Sequence, residues 1–196
     1  MQPEIEAKFL DADFAVVRKK LEAAGATLVH PNRTMRRKNF DYPDSRLESI
    51  GGWVRVRDEG NKITLAYKQL SSREVDGTRE VSVEVSSFDD TVLLLESIGL
   101  KETSYQEPMR ESWQLVSVQI ELDEWPWARP YVEIEATTAE ELFECAKQLG
   151  FDPKLALHGS VEVVSRAEYD VTEAEVDGWP VLTCVPVPEW LERKRR

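Results

Sequence analysis

Histidine and cysteine are scarce in this 196-residue chain, which has only His30, His158, Cys145 and Cys184. No spacing among them resembles a zinc site, and two cysteines so far apart build no disulfide framework. Cys145 falls with Leu142, Ala146 and Leu149 on one helical face and reads as a small core residue. Long apolar runs are missing too, so no segment has the length that a membrane-spanning helix requires. The opening Met1-Gln2-Pro3-Glu4 lacks the basic stretch and apolar core of a secretion signal, and the expected location is the cytoplasm. Positive charge is in deficit as well. Against 37 Asp and Glu stand 25 Lys and Arg, a net charge of −12. That balance argues against a general nucleic-acid binder, because phosphate backbones need a basic face.

The basic residues that are present cluster. Arg193 to Arg196 reads as a solvated tail. Arg33 to Lys38 (RTMRRK) leads directly into Asn39-Phe40-Asp41, and reads equally as a surface cluster and as the border of a site. A hydrophobic content of 41% over this length suffices for one core. The expected organisation is one domain, residues 1–169, and an irregular C-terminal extension, residues 170–196, in which Gly178-Trp179-Pro180, Pro186 and Pro188 break any periodicity.

Within the domain a unit recurs three times: a strand with alternating carboxylates, a short capped helix, then a glycine followed by an apolar residue. The first copy is Glu4 to Lys8, a helix capped by Asp11 or Asp13 and running through Leu21, and Gly25. The second is Val81 to Val85, a helix from Asp89 to Ser97, and Gly99. The third is Tyr131 to Ala136, a helix opened by Thr138 with Glu141 as a capping box, and Gly150. Between the copies, Gly52 to Arg57, Lys62 to Gln69, Met109 to Val118 and Val118 to Glu124 have the alternating, β-branched and aromatic composition of strands.

Side chains two apart share a strand face. Glu4, Glu6 and Lys8 therefore point together, as do Arg55 with Arg57, Glu80 with Glu84, Arg110 with Ser112, Glu121 with Asp123, and Glu133 with Glu135; Lys68 shares its face with Ala66. Ile5, Val54, Val56, Leu65, Val81, Val83, Val85, Val132 and Ile134 face the other way, and short helices are expected to cover them. The charged faces either meet bulk water or meet each other across a closed barrel. Segregation of sign favours the barrel: carboxylates pair on some strands, and Arg and Lys gather on others. A lumen with that much charge needs a ligand or ions to compensate it. Arg55, Arg57 and Arg110 suit phosphate oxygens, Lys8 and Lys68 act as point charges, and Glu4, Glu6, Asp123, Glu133 and Glu135 suit a hard divalent cation.

The ordered set Glu4-x-Glu6-x-Lys8, Arg55-x-Arg57, Lys68, Arg79-Glu80 with Glu84, Arg110, Asp123 and Glu133-x-Glu135 resembles the CYTH family, or triphosphate tunnel metalloenzymes. Leu122 to Pro126 and His158 to Val161 look most like its class IV adenylate cyclase-like subgroup. The similarity covers about residues 2 to 169. It departs from the family where Pro108-Met109 precede Arg110, a place usually held by a basic residue. It also departs at Ser82, where relatives often carry a third carboxylate.

The resemblance implies an α+β fold: a closed antiparallel eight-stranded β-barrel, the triphosphate tunnel, with helices packed outside. It implies Mg²⁺ or Mn²⁺ held by Glu4, Glu6, Glu133 and Glu135, with a second ion nearer Asp123. It further implies a triphosphate, tripolyphosphate or ATP, gripped by Lys8, Arg55, Arg57, Lys68 and Arg110, with Glu80 and Glu84 bordering it. Glu4, Glu6, Lys8 and Lys68 are the candidate catalytic residues. Three activities fit: hydrolysis of the terminal phosphate, cyclisation of ATP to cyclic AMP and pyrophosphate, and binding of polyphosphate without turnover. Hydrolysis demands least of the site and is the expectation. An adenine pocket for the second activity is placed near Arg36, Arg37, Phe40 or Trp53. Trp125 and Trp127 read as packing residues, His158 as preceding a helix cap, and a homodimer is compatible with the sequence.

Overall fold

In the computed structural model, which describes residues Met1–Arg196, the chain runs β1 (Gln2–Leu10), α1 (Phe14–Ala23), β2 (Thr27–Thr34), β3 (Arg36–Asp41), β4 (Gly52–Asp58), β5 (Ile63–Leu70) and β6 (Thr78–Val85). It continues α2 (Phe88–Ser97), β7 (Lys101–Gln106), β8 (Met109–Leu115), β9 (Val118–Glu124), β10 (Tyr131–Ala136), α3 (Ala139–Gln148), α4 (Glu162–Glu168), α5 (Glu173–Asp177), β11 (Val181–Leu182) and α6 (Glu189–Glu192). The fold is α+β, as the sequence leads one to expect. No helix is long and apolar enough to cross a membrane.

The strands form one sheet in the order β11-β7-β3-β4-β5-β6-β1-β10-β9-β8-β2. It is antiparallel apart from the short β11–β7 pair. The expected closed eight-stranded barrel is corrected in two respects: there are eleven strands, and the ladder is not strictly closed. The reason is local. β2 passes into β3 at Met35, whose N–H donates to the Pro108 carbonyl at 2.8 Å, and Pro108 itself lies between β7 and β8. Proline has no N–H to give a ladder. β2 pairs with β8 (Arg33 opposite Arg110) and β3 pairs with β7 (Arg37 opposite Gln106), so the wall curls round through this interruption. β1 changes partner as well, with Gln2–Glu4 on β6 and Ile5–Leu10 on β10. β2, β3 and β7 have no counterpart among the strands read from sequence, because Pro31 and polar side chains mask their alternation.

The three repeated units form where expected. Asp13 accepts from the Ala15 and Val16 N–H groups at 2.8 and 3.2 Å, and Ser87 accepts from Asp90 N–H at 3.2 Å. Thr138 accepts from Glu141 N–H at 3.2 Å, but the capping box is only half made. The Glu141 carboxylate accepts from Thr137 and Ser117 hydroxyls instead of returning to the Thr138 N–H. α1 and α3 cover the outer face of β1, β8, β9 and β10, burying Phe9, Leu21, Ile120, Ile134, Leu142 and Cys145. α2 packs Phe88, Val92 and Leu95 on Phe40 and Val56. The helix cover expected over β6 is absent: Val81 and Val83 are 50% and 54% exposed. α2 leaves β6 to pack on β4 and β7 instead.

Residues 170–196, expected as irregular, carry α5, β11 and α6 and bury Val176, Trp179, Leu182 and Leu191 against Tyr169. The terminal arginines are not a free tail: Arg195 pairs with Glu168 and Glu192, and the Arg196 N–H donates to the Glu168 carbonyl at 2.9 Å. Cys145 is buried, which pushes its thiol up to about 11, whereas Cys184 is exposed. A thiol-reagent titration is therefore expected to find one reactive cysteine in the folded protein and a second only after denaturation. Two reactive thiols in the folded state would contradict the packing of α3.

Candidate active site

The period of two along each strand sends one set of side chains outward under the helices and the other inward, around a cavity of about 310 Å³. β1 contributes Glu4, Glu6 and Lys8, whose neighbours Ala7 and Phe9 lie in the outer core. β3 and β4 contribute Arg37, Arg55 and Arg57, and Glu59 follows β4 directly. β5 and β6 add Lys68, Thr64, Thr78, Glu80 and Ser82, with Lys62 at the turn before β5. Arg110 comes from β8, Glu121 from β9, and Glu133 and Glu135 from β10. The lining holds seven carboxylates and seven cations, so with every group ionised the empty tunnel is balanced in charge, and an entering polyphosphate adds negative charge that cations entering with it would offset.

Most of these groups are committed to one another. Lys8 Nζ reaches Glu6 at 2.9 Å and Glu133 at 3.0 Å, and donates to the Gly159 carbonyl at 2.8 Å. Gly159 has φ +123°, and a Cβ there would lie 3.0 Å from Arg73 Nη1, so glycine brings that carbonyl to the lysine. Lys68 Nζ lies 2.7 Å from Glu4 and 3.0 Å from Glu80. Arg55 reaches Glu80 at 3.4 Å and Arg57 reaches Glu59 at 2.6 Å. Arg110 is held bidentately by Asp123 at 2.6 and 2.5 Å and touches Glu133 at 3.0 Å.

These partners set the protonation of the wall. Burial, with Glu6 close by, pushes Glu4 up to about 8 in spite of Lys68. Burial likewise pushes Glu121 up to about 7, and raises Glu135, which has Glu133 and Glu6 beside it. Glu80 is buried too, but Arg55 and Lys68 hold it down at about 2, and Lys8 and Arg110 depress Glu133. Groups raised in the folded state stabilise it most below the ordinary glutamate value of 4.5, and that contribution is lost as pH rises through 7 to 8. Groups that are depressed, Glu80 and Glu133, stabilise above 4.5 and lose their effect as pH falls towards 2. The ligand-free, chelator-treated protein should thus lose several degrees of melting temperature between pH 5.5 and 8.5, at roughly constant ionic strength. A rising melting temperature over that interval would refute the assignment.

The donor set fits a hard divalent cation. Glu6 and Glu135 lie directly opposite each other across β1 and β10, like charges in a position that is unfavourable without a cation between them. No cation pairs with Glu135, and Glu121 Oε2 is buried without a partner. No three such side chains converge into a finished metal cage. Mg²⁺ ordinarily takes one or two carboxylates and completes its shell with substrate phosphates and water.

Of the residues singled out in the sequence, Glu4, Glu6, Lys8, Arg55, Arg57, Lys68, Glu80, Arg110, Glu133 and Glu135 surround the cavity. Two do not. Asp123 is fully buried behind Arg110, which takes both its oxygens, because β9 puts it deeper than Glu121. Glu84 is exposed near the far end of β6, beyond the lining, although it shares a face with Glu80. Sequence reasoning passed over Glu59, whose position before Gly60 reads only as a turn. It placed Glu121 on a charged face with Asp123 without giving it a ligand role, and gave Arg37 no phosphate role. The rest of the basic cluster is structural: Arg33 donates to the Glu59 carbonyl at 2.9 Å, Arg36 pairs with Asp58 at 3.0 Å and Lys38 with Glu102 at 2.7 Å. Trp125 lines the tunnel and stacks under Arg37, while Trp127 packs on Trp179. His158 Nδ1 lies 3.0 Å from the Glu6 carbonyl.

A second cavity of about 670 Å³ adjoins the first and shares Arg37, Trp53, Ser160 and Val161 with it. Its far wall is α5, with Ala174, Val176 and Asp177. Arg73, between β5 and β6, links α5 to α4, reaching Glu173 at 2.6 Å and Glu162 at 2.7 Å.

Comparison with known proteins agrees with this architecture. Residues 2–171 match the CYTH domain family. Among curated proteins none matches. A candidate adenylate cyclase of Vibrio parahaemolyticus superposes with a TM-score of 0.73 at 17% identity, over 83% of this chain and 97% of that one. A protein of Pyrococcus horikoshii superposes at 0.64 with 23% identity, over 78% and 93%. A candidate adenylyl cyclase of Hippeastrum, described as having a dominant triphosphatase activity, superposes at 0.55 with 15% identity, over 90% and 95%. At these identities the likeness is one of fold.

Proposed function

Since the chain belongs to the CYTH domain family, we propose that its tunnel binds a triphosphate together with Mg²⁺ or Mn²⁺ and hydrolyses the terminal phosphoanhydride bond. The observation that carries this reading is the segregated but balanced lining. Arg37, Arg55, Arg57 and Lys68 stand on one side, and Glu6, Glu121, Glu133 and Glu135 on the other. A chain of phosphates fits the first side, and divalent cations fit the second. The Hippeastrum protein, described as having a dominant triphosphatase activity, shows that this fold is compatible with such chemistry.

Phosphoryl transfer asks the protein chiefly for positioning and charge compensation. Arg55, Arg57 and Lys68 hold phosphate oxygens, exchanging their carboxylate partners Glu80, Glu59 and Glu4 for the substrate. Lys8, fixed by Glu6, Glu133 and the Gly159 carbonyl, sets the position of the carboxylates around it. When bound, the divalent cation neutralises phosphate charge and lowers the pKa of water. Water attacks the terminal phosphorus and releases a proton to solvent, the bridging P–O bond breaks, and the arginines offset the charge gathering on the diphosphate that leaves. Glu4, Glu6 and Glu135 would hold the cation.

The test is product analysis with tripolyphosphate and with ATP, each with Mg²⁺ and Mn²⁺, beside a Glu4→Gln/Glu6→Gln double variant. Orthophosphate that disappears in the variant is the expected result. Cyclic AMP with pyrophosphate would replace hydrolysis by cyclisation, a reading that the second cavity favours because it offers room for a nucleoside. Binding without turnover would leave a polyphosphate-binding module.

A further inference from the structure

Arg37 differs from the other cations of the tunnel. Lys8, Arg55, Arg57, Lys68 and Arg110 each have a carboxylate partner. Lys62 has none but sits exposed on the turn before β5. Arg37 has none either, although its Nε is buried and without any hydrogen-bond partner. Its guanidinium lies 4.7 Å from the Trp125 ring centroid, on the tunnel side of β3. In the β3–β4 ladder it stands directly opposite Arg57, a like-charge pair, and burial, with Arg55, Arg57 and Arg110 close by, depresses its affinity for its own proton. Desolvated charge in such surroundings is costly unless an anion arrives.

Its position says which part of an anion that is. Arg37 lines both cavities and so stands at the junction of the charged tunnel with the larger chamber that α5 borders. We propose that Arg37 is a phosphate-binding residue that grips the phosphate at this junction, the one from which an organic substituent would extend into the second cavity. The inference rests on the tunnel's holding a triphosphate, and it adds a residue that needs no exchange of partners to do so. Trp125 fixes the guanidinium plane by stacking beneath it, leaving the N–H groups for phosphate oxygens in a bidentate grip.

The experiment compares the native protein with Arg37→Gln and Arg37→Lys by thermal unfolding and by calorimetric titration with tripolyphosphate and with ATP in the presence of Ca²⁺. Arg37→Gln is expected to melt above the native protein when ligand-free, because it removes an unpaired charge facing Arg57. It should bind both ligands about 10–100-fold more weakly, as loss of a charge-assisted hydrogen bond implies. Arg37→Lys should recover part of the affinity, since it keeps the charge without the fork. A ligand-free Arg37→Gln protein that melts lower and binds with native affinity overturns the inference and makes Arg37 a structural residue. If Arg37→Gln fails to fold, native affinity in Arg37→Lys overturns it equally. If the native protein binds neither ligand, the triphosphate reading of the tunnel falls first and takes this inference with it.

Discussion

Exchanging Glu135 for glutamine is expected to lower metal-dependent triphosphate cleavage by roughly 10²–10³-fold, while the ligand-free protein stays as stable as before or gains slightly. The two effects have one origin. Glu135 faces Glu6 across the β1–β10 ladder, no cation pairs with it, and burial with Glu133 and Glu6 nearby raises its pKa. Its charge is a liability in the empty tunnel and an asset once a divalent cation is present. The measurement is paired: turnover against Mg²⁺ or Mn²⁺ concentration, and melting temperature in chelator. An unchanged metal dependence would remove Glu135 from the proposed ligand set, and a large fall in melting temperature would give it a structural role instead.

Asp123→Asn should do the reverse. Asp123 is 0% exposed and both its oxygens are taken by Arg110, so the substitution turns an amide N–H₂ towards a guanidinium N–H and leaves a buried cation short of its partner. Breaking a buried pair in this way costs about 3 kcal/mol or somewhat more, and Glu133, 3.0 Å from Arg110, keeps the loss at the lower end. For a chain of this length that is a fall of roughly 6–12 °C in melting temperature. Affinity for the divalent cation should change little. If instead the variant kept its melting temperature and lost metal affinity, Asp123 would be a metal ligand after all.

Glu135 and Asp123 also show how far the sequence could be read. Both are acidic, both lie on inward strand faces, and the alternation of β9 and β10 identified that face correctly. Alternation is a property of one strand, however, and depth is a property of the whole wall. Which carboxylate meets the cavity and which lies behind an arginine depends on how β8, β9 and β10 are staggered, and on the reach of Arg110. The same limit applies to Glu84, correct in phase with Glu80 yet beyond the lining, and to the helix cover of β6, which is decided by where α2 docks. Arg37 was illegible for a different reason. From Arg36 to Lys38 every position is basic, so the run has no alternation from which to read a face; only the pairing of β3 with β4 and β7 sends Arg37 inward and Arg36 and Lys38 outward. The strand-helix-glycine units were legible because their caps and stops are local chemistry.

The partition of the tunnel wall has one further consequence. With β3, β4 and β5 supplying mostly cations and β9 and β10 mostly carboxylates, the empty lumen holds equal numbers of acidic and basic groups but is polarised from side to side, and the electric field runs across the axis rather than along it. A field in that direction does little to draw a polyanion down the passage from afar. It acts instead on orientation: a phosphate chain with cations bound along one flank carries a transverse dipole of its own, and that dipole aligns with the wall. On the proposed reading, the roll of a bound phosphate chain about its long axis is thereby selected by the fold as a whole, before any single side chain closes on an oxygen.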